Sequence, residues 1–349
     1  MRNPERLSSA KSMPITQAPD AEPLAHGGDL DAARKRFPGA RGPWIDLSTG
    51  INPVPYPVPA LVADVWSRLP TRAEEEELLA AAALRYRASS AETIVAAPGT
   101  QALIQLLPRL VPTSHVEILG PTYEEHEACW TRQGHRVSVV KDFGPSDRAD
   151  VVIVVNPNNP TGRLISASAL REVASQLAKK NGLLIVDEAF IDVLPETASL
   201  TSDLPPATIV LRSFGKTYGL AGLRLGFAIA ERSLARRVRA ELGPWAVSGP
   251  ALAVGKVALR DESWLSETVT RLRSDQARLD GMLEAAGFAI IGGTPLFRLA
   301  RHSSAPAIVE NLGRHGIHVR AFSHEPQWLR FGLPGNEPAW ERISIALLG

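Results

Sequence analysis

VVIVVNPNNPTG, residues 151–162, joins a short apolar run to a turn rich in asparagine and proline. The five apolar residues do not alternate with polar ones, which is typical of a parallel strand that helices cover on both faces. Two X-Pro bonds and a glycine predict a rigid turn directly after the strand, which holds the asparagine side chains in place. The stretch therefore predicts an α/β fold with polar groups at the carboxyl edge of its sheet, where open sheets bind ligands.

Three other segments also place polar groups at strand ends. LLIVDEAF, residues 183–190, puts Asp187 at the end of a second apolar strand, where a carboxylate is costly unless a cation pairs with it. SFGKTYGLAGLRLGF, residues 213–227, combines Lys216 and Arg224 with four glycines, and its lysine is placed as an imine-forming amine. APGTQ, residues 97–101, follows a strand and opens a helix, whose free N–H groups suit a phosphate.

The order of predicted elements indicates two domains. Helices are predicted at residues 74–87 and 124–133, and strands at residues 93–97, 115–119, 137–140, 151–155, 183–186, 209–211 and 225–230. Residues 70–245 are therefore predicted to form a large α/β domain with a mostly parallel seven-stranded sheet. Residues 246–349 are predicted as a smaller α+β domain, with one long helix over residues 251–286, four short strands and a closing helix over 338–348.

The N-terminal part of the chain has no such alternation. Residues 1–25 are interpreted as a flexible arm. Residues 26–69 are predicted as an N-terminal segment that joins the smaller domain and covers the active site. Its closely spaced prolines predict an extended connector over residues 52–60.

Composition excludes several classes of protein. The 349 residues are 44% hydrophobic and 21% charged, which excludes a disordered chain. Lys and Arg number 38 against 37 for Asp and Glu, so no basic field is available for nucleic acid or an anionic membrane. No apolar run approaches the roughly 20 residues of a membrane span. Cys129 is the single cysteine, which excludes an internal disulfide or a cysteine metal cluster, and a buried thiol in a reducing, cytoplasmic protein is expected.

Three segments resemble, in their order and separations, the motifs of the fold-type I pyridoxal-phosphate enzymes. They are NPNNPTG, VDEAF and SFGKTYGLAGLRLGF. The resemblance implies their transferase fold and pyridoxal 5'-phosphate as cofactor, with Lys216 as the Schiff-base lysine and Asp187 paired with the pyridine nitrogen. It also implies that Asn159 bonds the phenolic oxygen of the ring, and that Tyr123 and Ala189 pack on its two faces. The residues implied for the cofactor phosphate are Gly99, Thr100, Gln101, Ser213 and Arg224.

Other segments resemble the substrate-binding parts of this superfamily. Two segments match places where relatives keep an arginine: WLRFG, residues 328–332, and GIHVR, residues 316–320. The resemblance implies that Arg330 binds a substrate α-carboxylate and that Arg320 binds a phosphate. Two further segments are similar to segments of the threonine-phosphate decarboxylases of cobalamin biosynthesis: HGG, residues 26–28, and WIDLSTGINP, residues 44–53. In that family these segments cover the active site and contact the substrate phosphate. The implied substrate contacts are His26, Gly27, Asn52, Asn159, Arg320 and Arg330.

The implied reaction is decarboxylation of L-threonine O-3-phosphate to (R)-1-amino-2-propanol O-2-phosphate. Many aminotransferase relatives carry a tyrosine at the position of Phe190. A phenylalanine here is what the resemblance to the decarboxylase group implies. A histidinol-phosphate-type aminotransferase would use the same lysine, aspartate and arginines and stays an alternative, as does a non-catalytic binding protein. The resemblance further implies a homodimer with residues 52–70 near the partner chain. Leu69-Pro70 stands where histidinol-phosphate aminotransferases carry a Tyr-Pro turn toward the neighbouring subunit.

Overall fold

Two β-sheets form the framework of the described part of the chain, residues 26–40, 42–144 and 146–349 of a computed structural model. The predicted flexible arm, residues 1–25, lies outside the described residues. The strands are β1 (Ile45–Leu47), β2 (Ile94–Ala97), β3 (His115–Leu119), β4 (Arg136–Val140), β5 (Val151–Val155), β6 (Leu183–Asp187), β7 (Thr208–Ser213), β8 (Gly226–Ala230), β9 (Ala289–Thr294), β10 (Phe297–Arg301), β11 (Ile317–Ala321) and β12 (Trp328–Gly332).

Helices flank both sheets. They are α1 (Leu30–Arg36), α2 (Asp64–Ser67), α3 (Arg72–Arg85), α4 (Thr100–Leu106), α5 (Glu124–Arg132), α6 (Ala167–Ala178), α7 (Phe214–Thr217), α8 (Arg232–Leu242), α9 (Gly249–Ala258), α10 (Glu262–Ala285), α11 (Ala305–Arg314) and α12 (Glu337–Leu348). No helix of the described residues is long and apolar enough to cross a membrane.

The prediction of a single long helix over residues 251–286 is wrong, because two helices, α9 and α10, occupy this range. Helix α9 ends before Asp261, which is the N-cap of α10 and accepts a hydrogen bond from the Trp264 backbone N–H at 3.0 Å. The second carboxylate oxygen of Asp261 accepts a hydrogen bond from the Tyr56 hydroxyl at 3.1 Å. An aspartate in this role starts a new helix, so the chain turns between α9 and α10.

The larger sheet has the strand order β2-β8-β7-β6-β5-β3-β4. Strands β3 to β7 are parallel to one another, and β8 is antiparallel to β7 and β2. Val152 and Val154 of β5 pack in one core with Leu170 of α6, whereas Val151 and Ile153 pack in another core on the opposite face. The predicted mostly parallel seven-stranded sheet, covered on both faces, is therefore confirmed.

The smaller sheet has the strand order β1-β11-β12-β10-β9. Strand β1 is parallel to β11, and the other neighbours are antiparallel. Helices α10, α11 and α12 cover this sheet around a core that includes Leu272, Leu312 and Ile343. The predicted smaller α+β unit is confirmed, although its edge strand β1 comes from the N-terminal segment and was not predicted as a strand.

The boundary predicted at residue 246 stays a prediction. Helix α9 lies beyond it, yet Ala251 and Leu252 belong to the same core as Leu78 of α3. Gly255 lets the two helices approach, because a Cβ there would lie 2.8 Å from the Leu78 side chain. The chain therefore enters the smaller unit only after α9.

Candidate active site

A cavity of about 210 Å³ opens at the carboxyl edge of the larger sheet and is also lined by residues of the smaller unit. Because parallel strands end at the same edge, the polar segments that follow β5, β6 and β7 meet there. The predicted site residues that line the cavity are His26, Gly27, Gly99, Thr100, Gln101, Tyr123, Asn159, Asp187, Ala189, Ser213, Lys216, Arg224 and Arg330. Residues separated by some three hundred positions in the sequence thus share one cavity.

Asp187 ends β6 and is 3% exposed. Its Oδ1 accepts the Ala189 backbone N–H at 3.1 Å, and its Oδ2 lies 3.1 Å from Nε2 of His126. His126 of α5 is a hydrogen-bond partner of this carboxylate that the sequence analysis did not identify. The two contacts fix the carboxylate at the cavity wall.

Lys216 lies in the short helix α7, directly after β7. Its Nζ is 5.6 Å from the Phe190 ring centroid and has no hydrogen bond or ion pair among the described residues. Burial, together with the nearby Arg330, lowers the pKa of Lys216 to about 8, although Asp187 opposes the change. A minor fraction of this amine is therefore neutral at pH 7, and the neutral amine is the nucleophilic form.

Arg224 and Gly99 form one side of the cavity. Arg224 has a left-handed backbone (φ 51°), and its guanidinium lies so close to Gly99 that a Cβ on Gly99 would be 2.6 Å from Nη2. Its Nη1 donates to the Ala221 carbonyl at 3.2 Å, and no carboxylate contacts it in the described part of the chain. Ser213 at the end of β7 lines the same side. This corner offers a guanidinium, a hydroxyl and the start of α4 to an anion.

The NPNNPTG turn is closed by two of its three asparagines. The Asn156 side chain accepts the Ile165 N–H at 2.8 Å and donates to the Ile165 carbonyl at 3.1 Å. The Asn158 amide donates to the Pro121 carbonyl at 3.0 Å. Asn159 is the asparagine left to line the cavity, and its Oδ1 accepts a hydrogen bond from Nη1 of Arg330.

Arg330 on β12 is buried without an acidic partner in the described residues. Its Nη2 donates to the Ser48 carbonyl at 2.6 Å, and its Nε has no hydrogen-bond partner. Burial, together with the nearby Arg320, lowers the pKa of Arg330 to about 10. A buried cation bonded only to neutral oxygens is costly, so this position favours an anionic ligand.

The N-terminal segment lies over the cavity. The Gly28 N–H donates to the Ser48 hydroxyl at 2.7 Å, and a Cβ on Gly27 would be 2.3 Å from the Ser48 carbonyl oxygen. Only glycine therefore fits at Gly27. A recess of about 60 Å³ adjoins the cavity, shares His26 and Gly27 with it and adds Arg320.

The substrate contact implied for Asn52 is not seen, because Asn52 lines neither cavity nor recess. Its amide nitrogen donates to the Thr217 carbonyl at 2.8 Å, and its Oδ1 accepts from Arg271 at 2.8 Å and from the Val54 N–H at 3.1 Å. Its backbone N–H donates to the Lys216 carbonyl at 2.9 Å. All polar groups of Asn52 except its carbonyl are therefore hydrogen-bonded, and its two N–H donors hold the segment that carries Lys216.

The role implied for Gln101 at a cofactor phosphate was through its backbone or its side chain. Its side chain donates to Glu125 at 2.7 Å and accepts the Tyr123 hydroxyl at 3.2 Å, which leaves its backbone N–H for an anion. The sequence analysis overlooked Glu125 and His126, which stand in the segment PTYEEH directly after Tyr123. The helical spacing from Tyr123 to His126 was the available signal, since residues three apart share a helix face.

Comparison with known proteins identifies the family. The family described as aminotransferase class I and II matches residues 64–345. This chain belongs to the class I and II aminotransferase family. Two relatives named threonine-phosphate decarboxylase, from Pseudomonas aeruginosa and Sinorhizobium sp., are 41% and 42% identical to this chain over 332 residues. The matches cover 93% of this chain and 98% of each relative.

A solved structure shows the shared fold of the family. The crystal structure of histidinol-phosphate aminotransferase from Sinorhizobium meliloti, in complex with pyridoxal-5'-phosphate, has a TM-score of 0.78 and 22% identity to this chain. The match covers 98% of this chain and 97% of that one. The predicted fold-type I architecture is confirmed.

Proposed function

We propose that this chain is a pyridoxal 5'-phosphate-dependent decarboxylase that converts L-threonine O-3-phosphate to (R)-1-amino-2-propanol O-2-phosphate. The observation that carries the proposal is one cavity in which Lys216 and Asp187 lie beside two separate groups of anion-binding side chains. The names of the relatives at 41% and 42% identity support this substrate over histidinol phosphate.

The residues present fit the cofactor. The Asp187 carboxylate suits a protonated ring nitrogen, and Lys216 offers an amine with a pKa of about 8 for covalent attachment. Arg224, which has no carboxylate partner among the described residues, would hold the phosphate in the corner beside Gly99, together with Ser213 and the backbone of the α4 start. When bound, the cofactor supplies an electron sink for the pair released at the substrate Cα.

Two anion sites fit the two ends of a phosphorylated amino acid. Arg330 would bind the α-carboxylate, because its unpaired Nε and its two terminal nitrogens suit a bidentate acceptor. Arg320, His26 and the Gly27 backbone in the adjoining recess would bind the phosphate. Binding the phosphate at a distance from Cα supplies energy that holds the carboxylate in the orientation needed for loss of CO2.

Lys216 would also move the proton that completes the reaction. Its pKa of about 8 allows both protonation states near neutral pH, so the ammonium form can deliver a proton to Cα after CO2 has left. Phe190 is 4% exposed and packs edge-on against Phe297 at 5.0 Å. It lines the cavity without a hydroxyl, as the resemblance to the decarboxylase group implies.

The working enzyme is proposed to be a cytoplasmic homodimer. Large apolar side chains are exposed along the N-terminal segment, with Val62 at 71%, Trp66 at 69% and Leu69 at 63%. Trp245, near the end of α8, is 59% exposed. Such a concentration of exposed apolar side chains favours burial against a second copy of the chain.

The decisive experiment measures substrate-dependent CO2 release. We expect L-threonine O-3-phosphate to release CO2 without a 2-oxo acid, and histidinol phosphate to give no amino transfer when a 2-oxo acid is added. Rapid transamination of histidinol phosphate, seen as formation of the pyridoxamine form, would favour the aminotransferase alternative. Lys216→Ala is the control, because it removes the amine that both reactions need.

A further inference from the structure

Glu125 connects three parts of the active site through one carboxylate. Its Oε1 lies 2.9 Å from Nε2 of His26, and its side chain is 12% exposed. Its Oε2 accepts the Gln101 amide at 2.7 Å, and Gln101 in turn accepts the Tyr123 hydroxyl at 3.2 Å. The carboxylate therefore joins the N-terminal segment over the cavity to the start of α4 and to the aromatic ring at the cavity wall.

This contact determines how His26 can meet a ligand. The hydrogen bond made by one imidazole nitrogen fixes the role of the other. With Nε2 on Glu125, Nδ1 is the nitrogen left for a ligand, and it has no partner in the described part of the chain. In the imidazolium form both nitrogens donate, so His26 can bond Glu125 and a phosphate oxygen at the same time.

The other charges around His26 agree with an anion at this place. The recess that His26 shares with the cavity is lined by Arg320 and Arg330, and by the acidic side chain of Glu124. Tyr123 and His324 complete its titratable groups, and Lys216, Asp187 and Arg224 lie in the adjoining cavity. Glu125 lines neither space, which places its charge behind His26 rather than in the path of a phosphate.

We propose that Glu125 is a positioning residue for the substrate phosphate, which it serves by holding His26 and the attached Gly27 backbone over the recess. The proposal rests on the proposed function, because the phosphate is that of L-threonine O-3-phosphate. Glu125 acts through His26 and does not touch the substrate. Its effect is therefore expected in substrate binding rather than in the chemical step.

The test compares holoenzymes of the wild type, Glu125→Gln, His26→Ala and the double variant. Glu127→Gln is the matched control, because Glu127 is an exposed glutamate on the same helix. We expect Glu125→Gln to raise KM for L-threonine O-3-phosphate about tenfold, the usual size for loss of a charge-assisted contact, and to change kcat by less than about twofold. In the His26→Ala background it should have no further effect, because the contact is already absent.

Three kinetic results would overturn the proposal. Equal losses from Glu125→Gln in both backgrounds would show that it acts without His26. A fall in kcat with both threonine phosphate and unphosphorylated threonine would show that it acts by packing through Gln101 and Tyr123. A lower KM in Glu125→Gln would show that Glu125 competes with the phosphate for His26.

Calorimetry with inorganic phosphate separates this proposal from the proposed function, because it needs no turnover. We expect the wild-type holoenzyme to bind phosphate about tenfold more tightly than Glu125→Gln. If that difference is found but the wild type releases no CO2 from threonine phosphate, the proposed function fails and the role of Glu125 stands. Equal phosphate affinities would overturn the role of Glu125 even in an active decarboxylase.

Discussion

Lys216 and Arg330 line one cavity, and the guanidinium of Arg330 lowers the pKa of Lys216. Arg330 contributes to lowering the pKa of Lys216 to about 8, second only to burial. Only the neutral amine attaches the cofactor, so we expect the attachment rate in cofactor-free protein to rise with pH and to be half-maximal near pH 8.

Arg330→Met tests the same coupling. Removing the like charge should raise the pKa of Lys216 and move the pH midpoint upward, as followed by stopped-flow absorbance of the attached cofactor. Arg301→Met is the control, because Arg301 is an exposed arginine on the neighbouring strand β10. An unchanged midpoint in Arg330→Met would contradict the assigned coupling.

The contact between His126 and Asp187 is expected to matter for turnover. It is 1% exposed and bonds the Asp187 carboxylate, so His126→Phe would leave that buried group short of one partner. The cost is about 1–3 kcal/mol for such a group, and we expect kcat for CO2 release to fall about tenfold or more. His135→Phe is the matched buried control, since His135 bonds Ser114 and Pro108 away from the cavity. It should lower thermal stability and leave kcat near that of the wild type.

A buried ion cluster joins the ends of β6 and β7. Arg212 donates to Glu188 at 2.9 Å and also bonds Asp192, and all three residues are buried. Burial alone would lower the pKa of Arg212, but the two carboxylates outweigh it and raise the pKa. Glu188 follows Asp187 directly, and Arg212 precedes Ser213, so the cluster holds both cavity-lining segments in place.

Arg212→Met is therefore expected to destabilise the fold strongly. It would leave Glu188 buried without its cation and Asp192 with only Arg85 at 3.6 Å, at a cost of about 3–5 kcal/mol in the free energy of unfolding. Urea unfolding measures this loss. Arg232→Met, at an exposed ion pair with Glu92, should cost less than about 1 kcal/mol. Equal losses in the two variants would refute the structural role of the cluster.

At the level of elements, the sequence predicted those parts whose cause is local or periodic. The apolar runs of β5 and β6 predict buried parallel strands, and the turn after β5 contains its own closing asparagines. Strand β1 has only three residues and joins its sheet through pairing with β11, over two hundred and fifty residues away, so no local pattern marks it. The break at Asp261 was missed because both flanking stretches favour helix.

Within the site, the sequence predicted those residues whose side-chain type leaves few chemical roles open. Lys216, Asp187 and Arg330 carry groups whose burial requires a reason, and all three line the cavity. Asn52 did not follow its implied role, because its hydrogen-bonding groups pair with the backbone near Lys216 and with Arg271. Glu125 escaped notice for the opposite reason: a glutamate near a helix start is ordinary until His26 is brought to it from the N-terminal segment.

At the scale of the whole molecule, the two sheets meet where the NPNNPTG turn touches β9. A Cβ on Gly162, whose φ is 73°, would lie 2.2 Å from the Gly293 carbonyl oxygen, and a Cβ on Gly292 would lie 2.3 Å from that of Thr161. The two backbones therefore pack directly against each other. This contact holds Asn159, on the larger sheet's side, against Arg330 of the smaller sheet.

The assembly of two such chains is the last prediction. The exposed apolar run at Val62, Trp66 and Leu69 lies on the N-terminal segment, whose Asn52 is bonded to the backbone of Lys216. A dimer that covers this run would therefore also stiffen the segment that holds the catalytic lysine. Stable dimers bury about 1,200–2,000 Å² or more, and a few residues near the centre of an interface carry most of its binding energy. One charge at the centre of the run should therefore weaken association.

We expect the wild type to be a dimer by multi-angle light scattering, and Trp66→Asp to shift it toward monomer with loss of CO2 release. Ile345→Asp is the matched control, because Ile345 is 64% exposed but lies on α12 of the smaller unit. It should change neither mass nor activity. Raising the concentration of Trp66→Asp should restore activity together with the dimer, since association and activity are then linked by mass action. A wild-type monomer with full activity would contradict both the interface and its link to Lys216.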